Sequence, residues 1–183
     1  MFKIGRGARS MELALDEAHW VVRAREGQEH SMRLLIERHR NRLVRVASNI
    51  LRDANEAEDV AQEAFLKAFR ELDRLRDDQA FSGYVYRICV RLCMDRLRSR
   101  RAEPAEFESA TADQGEAIEN RVVIERLLDR LPYDLRVTLV LREVEQLSYD
   151  EIAEVLRVPV GTVRSRLHAA REKFRALWLE AVG

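Results

Sequence analysis

Apolar residues recur at intervals of three and four from about Glu12 onward, and this spacing continues almost to the end of the chain. Amphipathic helices produce such spacing, whereas half-buried strands produce strict alternation, of which the sequence has no stretch. Only seven Gly and three Pro interrupt its 183 residues, and these are the residue types that break helices. The pattern therefore predicts an all-α protein.

One segment that lacks the helical pattern separates two helical regions. The stretch "AEPAEFESATADQGEAIEN" has six acidic residues, no basic residue and few large apolar side chains, a composition typical of a flexible linker. We therefore predict a disordered extension at residues 1–11, a four-helix domain at 12–101, an acidic linker at 102–117 and a second four-helix domain at 118–180.

Charge is distributed unevenly along the chain, although 32 basic and 32 acidic residues cancel in total. Residues 80–101 carry six Arg and one acid, and residues 157–175 carry six Lys or Arg and one acid. Local charge, not the total, sets the attraction to phosphate. Both basic stretches are therefore candidates for nucleic-acid binding.

Other classes of function have little support in the sequence. It offers no nucleophile–base pair, Gly-rich phosphate loop or metal-ligand spacing, so we expect neither enzymatic activity nor a cofactor. It has no apolar run that could span a bilayer and no signal-peptide pattern at its N-terminus, so we expect a cytoplasmic protein. Cys89 and Cys93 are four positions apart on a predicted helix, and we expect both to be small core residues.

The stretch "LSYDEIAEVLRVPVGTVRSRLHAAREKF" predicts two helices separated by a short turn. Ser148 and Glu151 have the spacing of a capping box, so the first helix should begin at Tyr149. Pro159 cannot continue that helix, but it is well suited to the start of the next one.

The second of these helices combines a packed face with a polar face. Its apolar residues are Val163, Leu167, Ala170 and Phe174. Thr162, Ser165, His168 and Glu172 lie on the opposite face, with Arg164 and Arg171 at its flanks. Such a surface suits a helix in the major groove of DNA, because bulky side chains would hold the backbone away from the bases. An ordinary helical hairpin with a charged outer face is the alternative.

A second basic stretch, "FSGYVYRICVRLCMDRLRSRR", places aromatic residues ahead of a series of arginines. Phe81, Tyr84 and Tyr86 precede Arg87, Arg91, Arg96 and Arg98. Single-stranded nucleic acid is bound by this combination, since bases stack on aromatic rings and cations neutralise the backbone. Core packing is the alternative, and we expect it for Phe81 and at least one tyrosine. A duplex reader and a strand reader in one chain indicate a protein that recognises and opens DNA.

An acidic surface is predicted on the helix "NEAEDVAQEAFLKAFREL". Glu56, Asp59, Gln62 and Glu63 lie opposite the apolar residues of this helix. Crowding of like charges indicates a basic partner, and a solvated outer face is the alternative.

Together these stretches resemble the bacterial sigma factors, specifically their extracytoplasmic-function (ECF) group. "DVAQEAFLKAF" resembles the region-two helix and "FSGYVYRICVRLCMDRLRSRR" the helix that reads the minus-ten element. "LPYDLRVTLVLREVEQLSYDEIAEVLRVPVGTVRSRLHAAREKF" resembles the region-four helix-turn-helix. The resemblance implies a non-catalytic protein that binds core RNA polymerase and promoter DNA under the control of an anti-sigma factor. A stand-alone helix-turn-helix regulator is the alternative.

The resemblance also implies roles for individual residues. The clamp helices of the largest polymerase subunit would bind Asp59, Gln62 and Glu63, and the polymerase flap is a further expected contact. The non-template strand of the minus-ten element would be bound by Leu75, Asp78, Phe81, Tyr84, Tyr86, Arg87, Arg91 and Arg96. The minus-thirty-five element would be bound by Thr162, Arg164, Ser165, His168 and Arg171.

Six positions depart from the family pattern: Leu75, Tyr84, Arg91, Gln146, Arg157 and Ala169. Arg91 stands where the family usually has Asn, so we expect a minus-ten preference that differs from that of common members. Gln146 and Arg157 stand where the family tends to have Gly. A non-Gly residue in a left-handed turn costs about 1 kcal/mol or somewhat more, so we expect those two turns to differ.

Overall fold

A computed structural model describes residues 17–102 and 116–182. All regular secondary structure within these ranges is helical, which confirms the all-α prediction. The chain divides into two compact units between Cys93 and Met94. The extension expected at residues 1–11 and the linker residues 103–115 lie outside the described ranges.

The first unit contains the helices α1 to α3, two single 3₁₀ turns and most of α4. Helix α1 comprises residues 17–25 of the described part. Asp53 caps α3, because its side chain accepts a hydrogen bond of 2.9 Å from the backbone N–H of Glu56. The remaining bounds are α2 Glu29–Leu51, α3 Ala54–Arg70, 3₁₀ turns Leu72–Arg74 and Asp78–Ala80, and α4 Phe81–Ala102.

Small side chains on α3 allow close packing in the core of this unit. The buried faces of α2 and α3 pack on each other, and α4 contributes a third buried face. The ring of Phe81 is fully buried, with its centroid 6.0 Å from that of Phe69. Cys89 and Cys93 are also buried free thiols, which confirms their prediction as core residues. The buried apolar residues of α2 and α3 include Leu35, Leu43, Val46, Ile50, Leu51, Ala57, Val60, Ala64 and Phe65.

The second unit packs three shorter helices against the long helix α8. These helices are α5 Glu116–Asp129, α6 Tyr133–Glu143, α7 Tyr149–Leu156 and α8 Val160–Val182. Helix α5 begins two residues before Ile118, where the sequence analysis placed its start, and α4 extends to Ala102. Both helices therefore continue slightly into the segment that composition assigned to the linker, because terminal turns need little apolar surface.

The helix-turn-helix has the termini that the sequence predicted. Helix α7 begins at Tyr149 behind a complete capping box, in which Ser148 and Glu151 each accept from the other's backbone N–H. The carbonyl of Pro159 accepts from the N–H of Val163 at 3.2 Å and so opens α8. On α8, Val163, Leu167 and Ala170 are buried, as expected for its packed face.

The two turns that flank α7 keep a left-handed backbone without glycine. Gln146 has φ 57° and Arg157 has φ 54°. The expectation that these turns would differ is therefore wrong at the level of backbone conformation. At Arg157 the reason is the hydrogen bond made by the next residue. The N–H of Val158 donates to the Ala153 carbonyl at 3.1 Å, and this bond forms only when the residue before Val158 is left-handed.

The described ranges contain neither a membrane-spanning helix nor a cluster of metal ligands. In them no helix combines the length and the apolar character that crossing a bilayer requires. The same residues include no group of three His, Cys, Asp or Glu side chains placed to hold a metal ion.

Candidate nucleic-acid and protein interfaces

The segment that joins α3 to α4 is held in a defined shape by contacts within the protein. Nη2 of Arg25, at the end of α1, lies 2.7 Å from Oδ1 of Asp78 and 3.2 Å from the carbonyl oxygen of Leu75. The Leu75 side chain is buried. Asp77 caps the second 3₁₀ turn by accepting from the N–H of Gln79 at 3.0 Å. Leu75 and Asp78, two expected strand contacts, are thus engaged inside the unit.

Helix α4 presents a half-exposed stripe of one aromatic and two basic residues. Tyr84, Arg87 and Arg91 are spaced by three and four positions, so they share one face, and each is partly exposed. Arg96 is five positions beyond Arg91, which turns it to another side of the helix. The helical period therefore separates Arg96 from Arg87 and Arg91, with which its position in the sequence had grouped it.

The other two aromatic residues near the start of α4 belong to the core. Phe81 is 0% exposed and Tyr86 is 3% exposed. The guanidinium of Arg42 lies over the Tyr86 ring, 4.5 Å from its centroid. Neither ring presents a face on which a base could stack. Tyr84 alone of the three aromatics is accessible for stacking.

The hydroxyl of Tyr84 is oriented by the segment before α4. It donates to the carbonyl oxygen of Glu71 at 3.5 Å. Burial, followed by the nearby Glu71 carboxylate, raises the pKa of Tyr84. The ring is accessible because Tyr84 is partly exposed.

The acidic surface of α3 borders an apolar groove. Asp59 and Gln62 are exposed and Glu63 is partly exposed. A groove of about 410 Å³ lies between α2 and α3, and Leu66 on its wall is 55% exposed. Sequence reasoning missed Leu66, although a large apolar residue outside the inward stripe of α3 was a signal for it. The groove is lined by Ile36, Arg40, Ala61, Gln62, Phe65, Leu66 and Phe69.

Helix α8 exposes most of the surface that the sequence assigned to the major groove. Arg164, Ser165 and His168 are exposed, and Thr162 is partly exposed. The Ser165 hydroxyl donates to the carbonyl oxygen of Thr162 at 3.0 Å. The structure thus brings these four residues together within the first three turns of the helix.

Arg171, the fifth expected contact, is tied to a neighbouring helix. Its Nη2 and Nε lie 2.7 Å and 3.3 Å from Oε1 of Glu143 on α6. Hydrogen bonding to Glu143, then to Tyr149, raises the pKa of Arg171. The guanidinium therefore faces a carboxylate, which competes with any phosphate.

A second apolar groove, of about 450 Å³, lies beside this ion pair in the second unit. Val144 and Ile124 on its walls are 53% and 40% exposed. The sequence analysis did not identify it, because its walls come from three helices. It is lined by Ile124, Leu128, Leu139, Val140, Glu143, Val144, Arg171, Phe174 and Arg175.

Comparison with known protein families gives two matches in the order that the sequence predicted. The model of Sigma-70 region 2 matches residues 35–103. The model of Sigma-70, region 4 matches residues 121–174. The first match includes α3 and α4, and the second includes the helix-turn-helix.

Curated proteins and solved structures agree with these matches. The chain is 36% identical to the RNA polymerase sigma-H factor of Pseudomonas aeruginosa, over 83% of this chain and 88% of that protein. It is 35% identical to the ECF RNA polymerase sigma-E factor of Escherichia coli K12, over the same shares. The structure of CnrH in complex with the cytosolic domain of CnrY is similar with a TM-score of 0.67 and 26% identity, over 92% of this chain and 99% of that one. The fold also matches the sigma factor RpoE of Bartonella quintana, solved with the anti-sigma factor NepR, with a TM-score of 0.64 and 19% identity over 80% of this chain and 95% of that one.

Proposed function

This chain belongs to the ECF group of RNA polymerase sigma factors, and from that membership we propose how its surfaces direct transcription initiation. Sigma factors are initiation factors that bind core polymerase and promoter DNA. We assign the chain no catalytic activity of its own, because in this arrangement the polymerase carries out the chemistry. The observation that carries the proposal is that each unit presents a helix with a packed face and an exposed basic face.

The first surface is proposed to bind core polymerase. The clamp helices of the largest subunit would contact Asp59, Gln62 and Glu63. Leu66 and the adjoining groove would receive an apolar side chain of the same partner. Charge complementarity would guide the encounter and set its orientation, and burial of Leu66 would slow dissociation.

The second surface is proposed to bind the minus-ten element. Tyr84 would stack on an unpaired base, and Arg87 and Arg91 would neutralise the backbone of the non-template strand. Extracting a base from the duplex costs a few kcal/mol, which stacking and the polymerase contacts must offset. Phe81, Tyr86 and Leu75 support this surface from beneath, since all three are buried. Arg96 is a further proposed contact on another side of α4.

The third surface is proposed to read the minus-thirty-five element. Thr162, Arg164, Ser165 and His168 are on the first turns of α8, which would enter the major groove in the manner of a recognition helix. Arg171, at the margin of this surface, would contact a phosphate only when its pair with Glu143 opens. The groove beside Arg171 would receive the polymerase flap, because an exposed apolar groove of this size is suited to an apolar helix.

Control by a protein partner is also proposed. CnrH, which shares 26% identity with this chain, was solved with the cytosolic domain of CnrY bound. We infer that an anti-sigma factor likewise binds this chain and competes with polymerase for its two grooves. Each groove exposes apolar residues that a partner could cover.

Transcription in a purified system tests the function directly. The chain would be added to core RNA polymerase on promoter DNA selected from a random library. We expect initiation that depends on the chain and a selected sequence at both elements. Tight binding of duplex DNA without polymerase, and no initiation with it, would instead identify a stand-alone regulator.

A further inference from the structure

We propose that Arg25 is a positioning residue for minus-ten recognition, which fixes the segment 72–80 and keeps the charge of Asp78 away from the bound strand. The inference rests on the proposed function of α4. It assigns a role to a residue in α1, outside the family-model match, which begins at residue 35.

The guanidinium of Arg25 joins four groups that the chain separates from it by 47 to 53 residues. Its Nη2 lies near the carbonyl oxygens of Leu72 and Leu75, at 3.5 Å and 3.2 Å, and near Asp78 Oδ1 at 2.7 Å. Its Nε lies 3.7 Å from Oδ1 of Asp73. The planar guanidinium of arginine can donate to several acceptors at once, and the compact ammonium of lysine is less suited to this.

These contacts cover most of the segment that leads into α4. Leu72 and Leu75 bury their side chains, so the segment is attached by two apolar anchors and by one guanidinium that binds its carbonyls. Tyr84 donates to the carbonyl of Glu71 just before it. The position of Tyr84, the accessible aromatic, is therefore coupled to the same segment.

The ion pair also changes what Asp78 can do. Both side chains of the pair are 29% exposed, so the pair is partly shielded from water and interacts more strongly than a surface pair. An unpaired carboxylate would repel the phosphates of a nearby strand. Asp78 thus serves to hold the segment through Arg25, and a direct contact with a base is not its role.

The experiment measures holoenzyme binding to single-stranded non-template oligonucleotides that carry the selected minus-ten sequence or a scrambled version. We expect Arg25→Ala to weaken binding of the selected oligonucleotide about tenfold and to lower its preference over the scrambled one. The affinity of Arg25→Lys should lie between those of Arg25→Ala and the unmodified protein, since lysine keeps the positive charge but lacks the planar guanidinium. The double variant Arg25→Ala/Asp78→Asn should bind no more weakly than Arg25→Ala, because the two residues act as one unit.

Arg23→Ala provides the matched control, since it removes the same charge from the same helix. Among the described residues, Arg23 forms an ion pair with its near neighbour Glu26, at 3.3 Å, and is 45% exposed. Affinity for core polymerase and for minus-thirty-five duplex is measured for every variant. We expect both affinities to stay at the level of the unmodified protein.

Three results would overturn the inference. Unchanged selectivity in Arg25→Ala would show that the segment needs no such anchor. Additive losses in the double variant would show that Asp78 meets the strand independently. A parallel loss of core-polymerase affinity in both Arg25→Ala and Arg25→Lys would indicate general damage to the unit. Failure of the unmodified chain to initiate at any library promoter would be seen first, and it would reject the proposed function together with the inference.

Discussion

Arg171 on α8 places two nitrogen atoms within 3.3 Å of one carboxylate oxygen of Glu143 on α6. The pair joins α8 to the wall of the apolar groove in the second unit. Arg171 was expected to meet DNA, yet its guanidinium already binds an anion. The pair therefore sets how much positive charge α8 offers to a duplex.

Glu143→Gln should strengthen binding of minus-thirty-five duplex. The change releases Arg171 for phosphate and removes one negative charge from the same surface, so the slope of log affinity against log salt should become steeper by about 1. Fluorescence anisotropy across a salt series measures both quantities. Stability should change by less than about 1 kcal/mol, because both side chains are about half exposed.

Glu145→Gln supplies the control for that experiment. It removes a charge close by in sequence, at a residue for which Arg171 is not a partner. Equal gains in affinity and slope from both variants would show that total charge is responsible and that release of Arg171 is not.

Arg157→Gly should stabilise the second unit by about 0.5–1 kcal/mol. Arg157 has φ 54°, a conformation that glycine adopts without a steric penalty, and the relief exceeds the extra entropy glycine loses on folding. Urea unfolding followed by Trp178 fluorescence in a Trp20→Phe background measures the change. Arg157→Ala keeps the penalty and should leave the unfolding midpoint nearly unchanged. An equal shift from both variants would mean that loss of the arginine side chain is responsible.

Sequence reasoning succeeded where the deciding interactions are local. The capping box of Ser148 and Glu151, the break at Pro159 and the burial of Val163 all follow from residues a few positions apart. Their physical causes act within one or two helical turns, so the spacing alone revealed them.

The same reasoning failed where the deciding contact is distant in the chain. The Arg25–Asp78 pair spans 53 residues and the Arg171–Glu143 pair spans 28. A charged residue in a polar stretch looks equally suited to DNA or to an internal partner until the fold brings that partner close. Core packing was expected for at least one tyrosine, but only the fold shows that this residue is Tyr86, which lies under Arg42.

Leu66→Glu should weaken assembly with core polymerase about tenfold or more, because a charge would have to be buried against the partner. Leu66 is 55% exposed, so its replacement should leave the unfolding transition unchanged. A binding assay with labelled core polymerase measures the affinity. Lys67→Glu, the adjacent exposed position on α3, controls for added negative charge. If the two variants weaken assembly equally, the groove is not a contact.

Arg91→Asn should change the minus-ten sequence that the holoenzyme selects. Arg91 lies on the half-exposed stripe with Tyr84 and Arg87, and a guanidinium and an amide offer different hydrogen bonds to a base. Sequencing of promoters selected from a random library by each protein measures the preference. Arg98→Asn, on the same helix, serves as the control, because Arg98 pairs with Asp95 at 3.2 Å. An unchanged preference in the Arg91 variant would exclude this residue from base recognition.

The thiols of Cys89 and Cys93 should be nearly unreactive in the folded protein. The hydrogen bond between the two thiols and then burial raise the pKa of Cys93 far above its usual range, and only the thiolate attacks a disulfide reagent. Both side chains are 0% exposed, so the reagent can reach them only when the protein unfolds. A colorimetric disulfide reagent at pH 8 should modify them at least about a hundredfold more slowly in buffer than in concentrated urea. Because the raised pKa of Cys93 stabilises the fold only while the thiol is protonated, an increase from pH 7 to pH 9 favours the unfolded chain. The reaction of the folded protein, which passes through that chain, should therefore accelerate at least as much as the reaction in urea. Rapid modification of the native protein would show instead that α4 opens readily, and would make the pair a candidate redox sensor.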